Sequence, residues 1–182
     1  RHARELARVS SSRMTEEVSK ILGSGASRDI VRMLIHKRLF CHILPVLDKL
    51  LHSGRNIALT TELLDSLESL DANYSTPEGI EKQQMLVALV RPFLLIPDEY
   101  ESTTELFRDL FKDVKRLIQP ITPPNIDVEK AVALIFEQEQ IKIPKHAVRK
   151  PKVPAAKPSA RRDSRRRKGP PRQRRKPPVQ KS

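Results

Sequence analysis

The chain has 182 residues, with 35 Lys and Arg against 22 Asp and Glu and a formal net charge of +13. Fifteen of the basic residues fall between Arg149 and Ser182 beside one acid, Asp163, so residues 1–148 are left almost neutral and the excess charge belongs to the tail. That length suits one domain with an extension. The single Cys41 excludes an internal disulfide, and no apolar run reaches the length of a transmembrane helix, which favours a cytoplasmic setting.

In chain order, Ser12 can cap a first helix whose apolar residues Met14, Val18, Ile21 and Leu22 fall on one face, with Gly23 and Gly25 ending it. Ser27 offers the next cap, ahead of Ile30, Val31, Leu34 and Ile35. The apolar segment from Leu39 to Leu51 should break at Pro45. A third stripe runs from Ile57 to Leu70, and Asp71 to Ser75 reads as a turn. Thr76 and Pro77 are expected to open a helix whose centre, Met85 to Val90, is apolar nearly all round and therefore belongs in the core. Ser102-Thr103-Thr104-Glu105 has the form of a capping box and leads a regular stripe from Leu106 to Ile118. Asp127 can cap a last helix carrying Val128, Val132, Ile135 and Phe136 to about Ile141, and Pro144 closes the folded part.

No segment alternates like a strand, so the expected fold is all-α, an irregular domain of about seven helices followed by a disordered basic tail. The expected organisation is a helical region over 1–70, a helical body over 71–148 and the tail over 149–182. The tail has seven prolines in 34 residues, no aromatic, and only Val153 and Val179 as larger aliphatic side chains, too little apolar surface to offset its chain entropy.

Chemistry is sparse in the helical part. His36, Cys41 and His42 are the only cluster of metal-ligating types, and their spacing matches no zinc pattern, so they read as ordinary helix side chains and no metal site is expected. Gly23-Ser24-Gly25 follows a helix, where a C-cap explains it better than a phosphate loop. No serine sits in a strand-turn-helix nucleophile motif. Arg13 and Glu17, four residues apart, could form a weak surface pair. The tail is more specific. Arg161, Arg162, Arg165, Arg166, Arg167, Lys168, Arg172, Arg174, Arg175 and Lys176 set many cations along one strand of chain, and phosphates are their natural partners. RNA bound through its backbone, with little sequence preference, is the expected ligand, and a membrane surface is disfavoured because no amphipathic helix or lipidation motif accompanies the charge.

Residues 3–22, ARELARVSSSRMTEEVSKIL, resemble the neck of the bacterial poly(A) polymerase I family, relatives of the class II CCA-adding nucleotidyltransferases. Ser12, Arg13, Met14, Glu17, Val18, Ile21 and Leu22 occupy that pattern. The Gly-Ser-Gly turn, Leu39-Phe40, Ile43 to Leu47, Met85 to Pro92 and Ile143-Pro144-Lys145 are similar to later parts of it. The Arg- and Pro-rich tail is similar to the poly(A)-adding members rather than the CCA-adding ones.

The resemblance implies a parent that adds adenylates to RNA 3′ ends, as a polynucleotide adenylyltransferase using ATP and magnesium. The head with the metal-holding carboxylates would precede Arg1. The chain would then be an RNA-binding piece, inactive alone, with residues 1–70 as the neck and RNA-binding helical region, Arg13 and Glu17 bracing the neck, and RNA helicase or degradosome proteins as partners. The alternative is a non-catalytic RNA-binding adaptor whose helical domain docks a protein.

Overall fold

The computed structural model describes residues 9–53, 56–75, 79–145 and 147–148. Among these the chain forms eight α-helices and no strand, in keeping with the expected irregular all-α domain of about seven helices. The helices are α1 (Ser11–Leu22), α2 (Ser27–His36), α3 (Phe40–Ile43), α4 (Pro45–Leu51), α5 (Asn56–Ala72), α6 (Lys82–Val90), α7 (Thr103–Leu117) and α8 (Asn125–Gln138). Two short 3-10 turns, Asn73–Ser75 and Arg91–Phe93, follow α5 and α6.

The apolar stripes become the core. Leu86 to Val90 are all buried, as a helix apolar on every side requires, and α6 lies between α5 and α8. Leu63, Leu67 and Leu70 of α5 face it, together with Val128, Val132, Ile135 and Phe136 of α8. Phe107 of α7 meets Phe136 edge to face with ring centroids 5.4 Å apart, and Phe40 and Leu47 fill the side next to α2 and α4. Each fully buried side chain of this size contributes about 1.5–3 kcal/mol relative to exposure. The α1 helix adds Met14, Val18 and Leu22, and its Thr15 hydroxyl accepts the Thr122 amide at 2.9 Å, which ties it to the segment between α7 and α8.

Helix ends differ from expectation more than helix centres do. Ser10, not Ser12, caps α1. Its backbone is extended and its Oγ accepts the Arg13 amide at 3.4 Å, whereas Ser11 and Ser12 are already helical. Ser27 is the first residue of α2 rather than its cap, and the helix is closed from a distance by Asp71. Pro45 occupies the first position of α4 after a non-helical Leu44 (φ −133°, ψ 70°), so the predicted break is real. Glu81 caps α6 in a reciprocal box with Gln84, whose Oε1 accepts the Glu81 amide at 2.9 Å; Thr76 and Pro77, the expected opening, lie outside the described residues. Ser102 caps α7, with Oγ accepting from the Thr104 amide at 3.2 Å. Asp127 falls in the first turn of α8 behind the Pro124 cap, where its charge still suits the helix dipole. That helix ends at Gln138 rather than near Ile141, because Gln140 turns left-handed (φ 57°) and the Ile141 amide donates back to the Phe136 carbonyl at 2.8 Å.

Candidate nucleic-acid interface

With Met14, Val18 and Leu22 directed into the core, α1 presents Arg13, Glu16, Glu17 and Lys20 to solvent. Arg13 and Glu17 share that surface, but the ion pair of Glu17 is with Lys20, Nζ to Oε1 at 2.9 Å. The hydrogen bond and charge of Lys20 hold the Glu17 carboxyl below the usual carboxylate range, and Arg13 adds a smaller attraction. An arginine placed N-terminal to its glutamate is the weaker orientation on a helix, which explains why Lys20 takes the contact. Both groups are more than half exposed, so the pair adds little stability.

The turn after α1 is gripped by the end of α5. Gly25 has φ +73°, a conformation that glycine adopts without strain, and Ser27 is wholly buried with its hydroxyl 3.5 Å from the Leu67 carbonyl. Asp71 accepts the Ser27 amide on Oδ1 and the Arg28 amide on Oδ2, both at 2.9 Å. Arg28 NH1 approaches Glu68 at 3.5 Å. One turn beyond Asp71, the ring of Tyr74 rests on Gly25, since a Cβ there would stand 2.6 Å from Cγ. Leu67, Glu68, Asp71 and Tyr74 thus hold the α1–α2 junction at Gly25, Ser27 and Arg28.

At its other end α2 finishes in an exposed cationic turn formed by His36, Lys37 and Arg38. Arg38 is left-handed (φ 55°), and the Leu39 amide reaches back to the Leu34 carbonyl at 2.8 Å. Among the described residues neither Lys37 nor Arg38 makes an ion pair, whereas Arg32 beside them pairs with Asp29 at 3.0 Å. Cys41 is half-buried and donates its thiol to the Arg38 carbonyl at 3.3 Å. It forms no ligand group with His36 and His42. Among the described residues no three His, Cys, Asp or Glu side chains are placed to hold a metal ion. No helix among them is long and apolar enough to cross a membrane.

The ten cations proposed for RNA contact, Arg161, Arg162, Arg165, Arg166, Arg167, Lys168, Arg172, Arg174, Arg175 and Lys176, lie outside the described residues. One signal within the folded part was overlooked by treating it as a single neutral block. Residues 1–51 carry ten Lys and Arg against five acids, and residues 52–148 carry ten against sixteen. The near-neutral total hides a basic N-terminal third, net +5, and an acidic remainder, net −6. Counting charge element by element would have revealed it.

Comparison with known proteins converges on the same third. Residues 1–51 match a family model described as "Probable RNA and SrmB-binding site of polymerase A". The match does not extend to Met85 to Pro92 or to Ile143-Pro144-Lys145. Searches of curated proteins and of solved structures returned no significant match. Residues 1–51, the basic stretch of the sequence before the tail, are thus similar to a probable RNA-binding site of polymerase A.

Proposed function

We propose that this chain is the RNA-holding part of a cytoplasmic polynucleotide adenylyltransferase, the class of enzyme that extends RNA 3′ ends from ATP with magnesium. The observation that carries the proposal is the charge partition. The stretch similar to the polymerase RNA-binding model is the basic stretch of residues 1–148, and the strongest basic run of the chain lies at 149–182. Cations gathered in two stretches of the sequence, separated by an acidic one, suit a polyanion held at two points. In this reading Arg13 and Glu17 brace the neck, the exposed Lys37 and Arg38 meet phosphates, and the tail cations raise encounter and retention.

The test is direct binding of a labelled single-stranded RNA and of polyglutamate, a polyanion without phosphates. Tight RNA binding with weak polyglutamate binding supports the proposal, and failure to bind RNA at low salt defeats it. In the full enzyme, Arg13→Ala should lower adenylate addition more than RNA affinity. Equal losses would argue against a neck role.

A second reading, a non-catalytic adaptor that docks a protein, is favoured by one feature of the body. Leu50, Ala58, Leu59, Pro92, Phe93 and Leu95 line a cleft of about 350 Å³, and Leu95 is 88 % exposed. An apolar cleft of this kind suits a protein partner, such as the RNA helicase or degradosome proteins implied by the resemblance. Adenylate addition by the full-length protein with ATP, magnesium and an RNA primer separates the two readings, because an adaptor adds none.

A further inference from the structure

We propose that Tyr74 is a stacking platform for an unpaired base of single-stranded RNA. The inference rests on the RNA-binding reading and deepens it by naming a residue that reads a base rather than the backbone.

A Cβ built on Gly25 would lie 2.6, 2.8 and 3.0 Å from Cγ, Cδ1 and Cδ2 of Tyr74. A point so nearly equidistant from these three ring atoms stands above the ring face, not at its edge. The backbone of Gly25 therefore covers one face of the ring, while the residue remains 56 % exposed. The junction that carries Gly25 is itself fixed, because Asp71, one turn before Tyr74, accepts the Ser27 and Arg28 amides. A ring backed by protein on one side and open on the other can receive a base with little further ordering, as aromatic platforms for single strands do.

The surroundings favour RNA at this ring. Gly25 lies within the stretch related to polymerase RNA-binding regions. Lys20 is exposed in the last turn of α1, and the Arg28 guanidinium is partly exposed beside a long 3.5 Å contact to Glu68, so cations for the flanking phosphates are near in the chain. Tyr100 is also exposed, beside Asp98, Glu99 and Glu101, and serves as the control. Bases inside an A-form duplex are already stacked on each other, so the platform selects single strands.

The experiment uses the intact chain and fluorescein-labelled oligoadenylate, with an RNA duplex of equal length for comparison. Tyr74→Leu, which still covers Gly25 but has no π face, should weaken oligoadenylate binding by about 5- to 100-fold, leave duplex binding unchanged and keep the salt dependence of the native chain. Tyr74→Phe and Tyr100→Ala should bind like the native chain. Native affinity of Tyr74→Leu for oligoadenylate, or an equal loss for both RNAs, overturns the platform while leaving the RNA reading intact; a native chain that binds neither RNA overturns that reading itself. Should Tyr74→Leu fail to fold, Tyr100→Phe leaves Tyr74 as the only tyrosine of a chain without tryptophan. Its emission should then be quenched by oligoadenylate, and unchanged emission at saturating oligoadenylate overturns the proposal.

Discussion

The Asp71 carboxylate accepts the Ser27 amide at 2.9 Å across 44 residues of chain, and its second oxygen takes the next amide, Arg28, at the same distance. The first N–H groups of a helix have no partner within it, and α2 lacks a capping side chain of its own. A carboxylate at that position satisfies two donors and opposes the helix dipole favourably. Asp71→Ala should therefore destabilise the fold by about 1–2 kcal/mol. Urea denaturation followed by circular dichroism measures this, and an unchanged midpoint would mean that the contact adds nothing in solution.

Gly25 is constrained twice, by φ +73° and by the Tyr74 ring above it. Gly25→Ala adds left-handed strain and a clash, together about 2–3 kcal/mol. Truncating the ring removes only the clash. The double variant Gly25→Ala/Tyr74→Ala should consequently be less destabilised than the sum of the single variants, as a thermodynamic cycle reads directly.

Glu17 should titrate below the usual glutamate range when side-chain carboxyls are followed by nuclear magnetic resonance. Because Lys20 is the main cause of the lowering, Lys20→Gln should move the Glu17 titration upward more than Arg13→Gln does. The sign follows from the cation favouring the ionised carboxylate, so the attraction is present at neutral pH and is lost as the pH falls through the lowered folded-state pKa. A larger response to Arg13→Gln would restore the pair expected from the sequence spacing.

Arg38 holds a left-handed position at the end of α2, where glycine is less strained. Arg38→Gly should stabilise the fold by about 0.5–1 kcal/mol, while removing one phosphate contact and lowering the magnitude of the salt slope of RNA binding by about one. Gain in one property with loss in the other is the expected signature of a residue kept for binding. Unchanged RNA affinity would leave Arg38 as a helix terminus alone.

Helix centres were legible because burial follows from spacing. Met85 to Val90 and the stripe from Leu106 to Ile118 went where their periodicity placed them, and Pro45 broke the chain as its missing amide hydrogen requires. Helix ends were harder, since capping depends on local backbone shape or on distant residues. Ser12 is the expected cap of α1, but the extended backbone and the hydrogen bond from the Arg13 amide belong to Ser10. Nothing near Ser27 in the chain points to Asp71, and nothing near Gly25 points to Tyr74, because the packing of α2 on α5 brings each pair together. The basic character of residues 1–51 was readable but was averaged away by the acids of residues 52–148.

The salt dependence of RNA affinity measures the central claim most directly, with the intact chain compared against residues 1–148. If about 6–10 phosphates are neutralised, the intact chain should lose roughly 10³- to 10⁵-fold in affinity between 50 and 200 mM salt. Removing 149–182 should weaken binding and flatten that dependence, leaving a smaller slope from the cations of residues 1–51. A shortened chain that binds RNA as tightly as the intact one at 100 mM salt, or an intact chain indifferent to salt, would contradict the account.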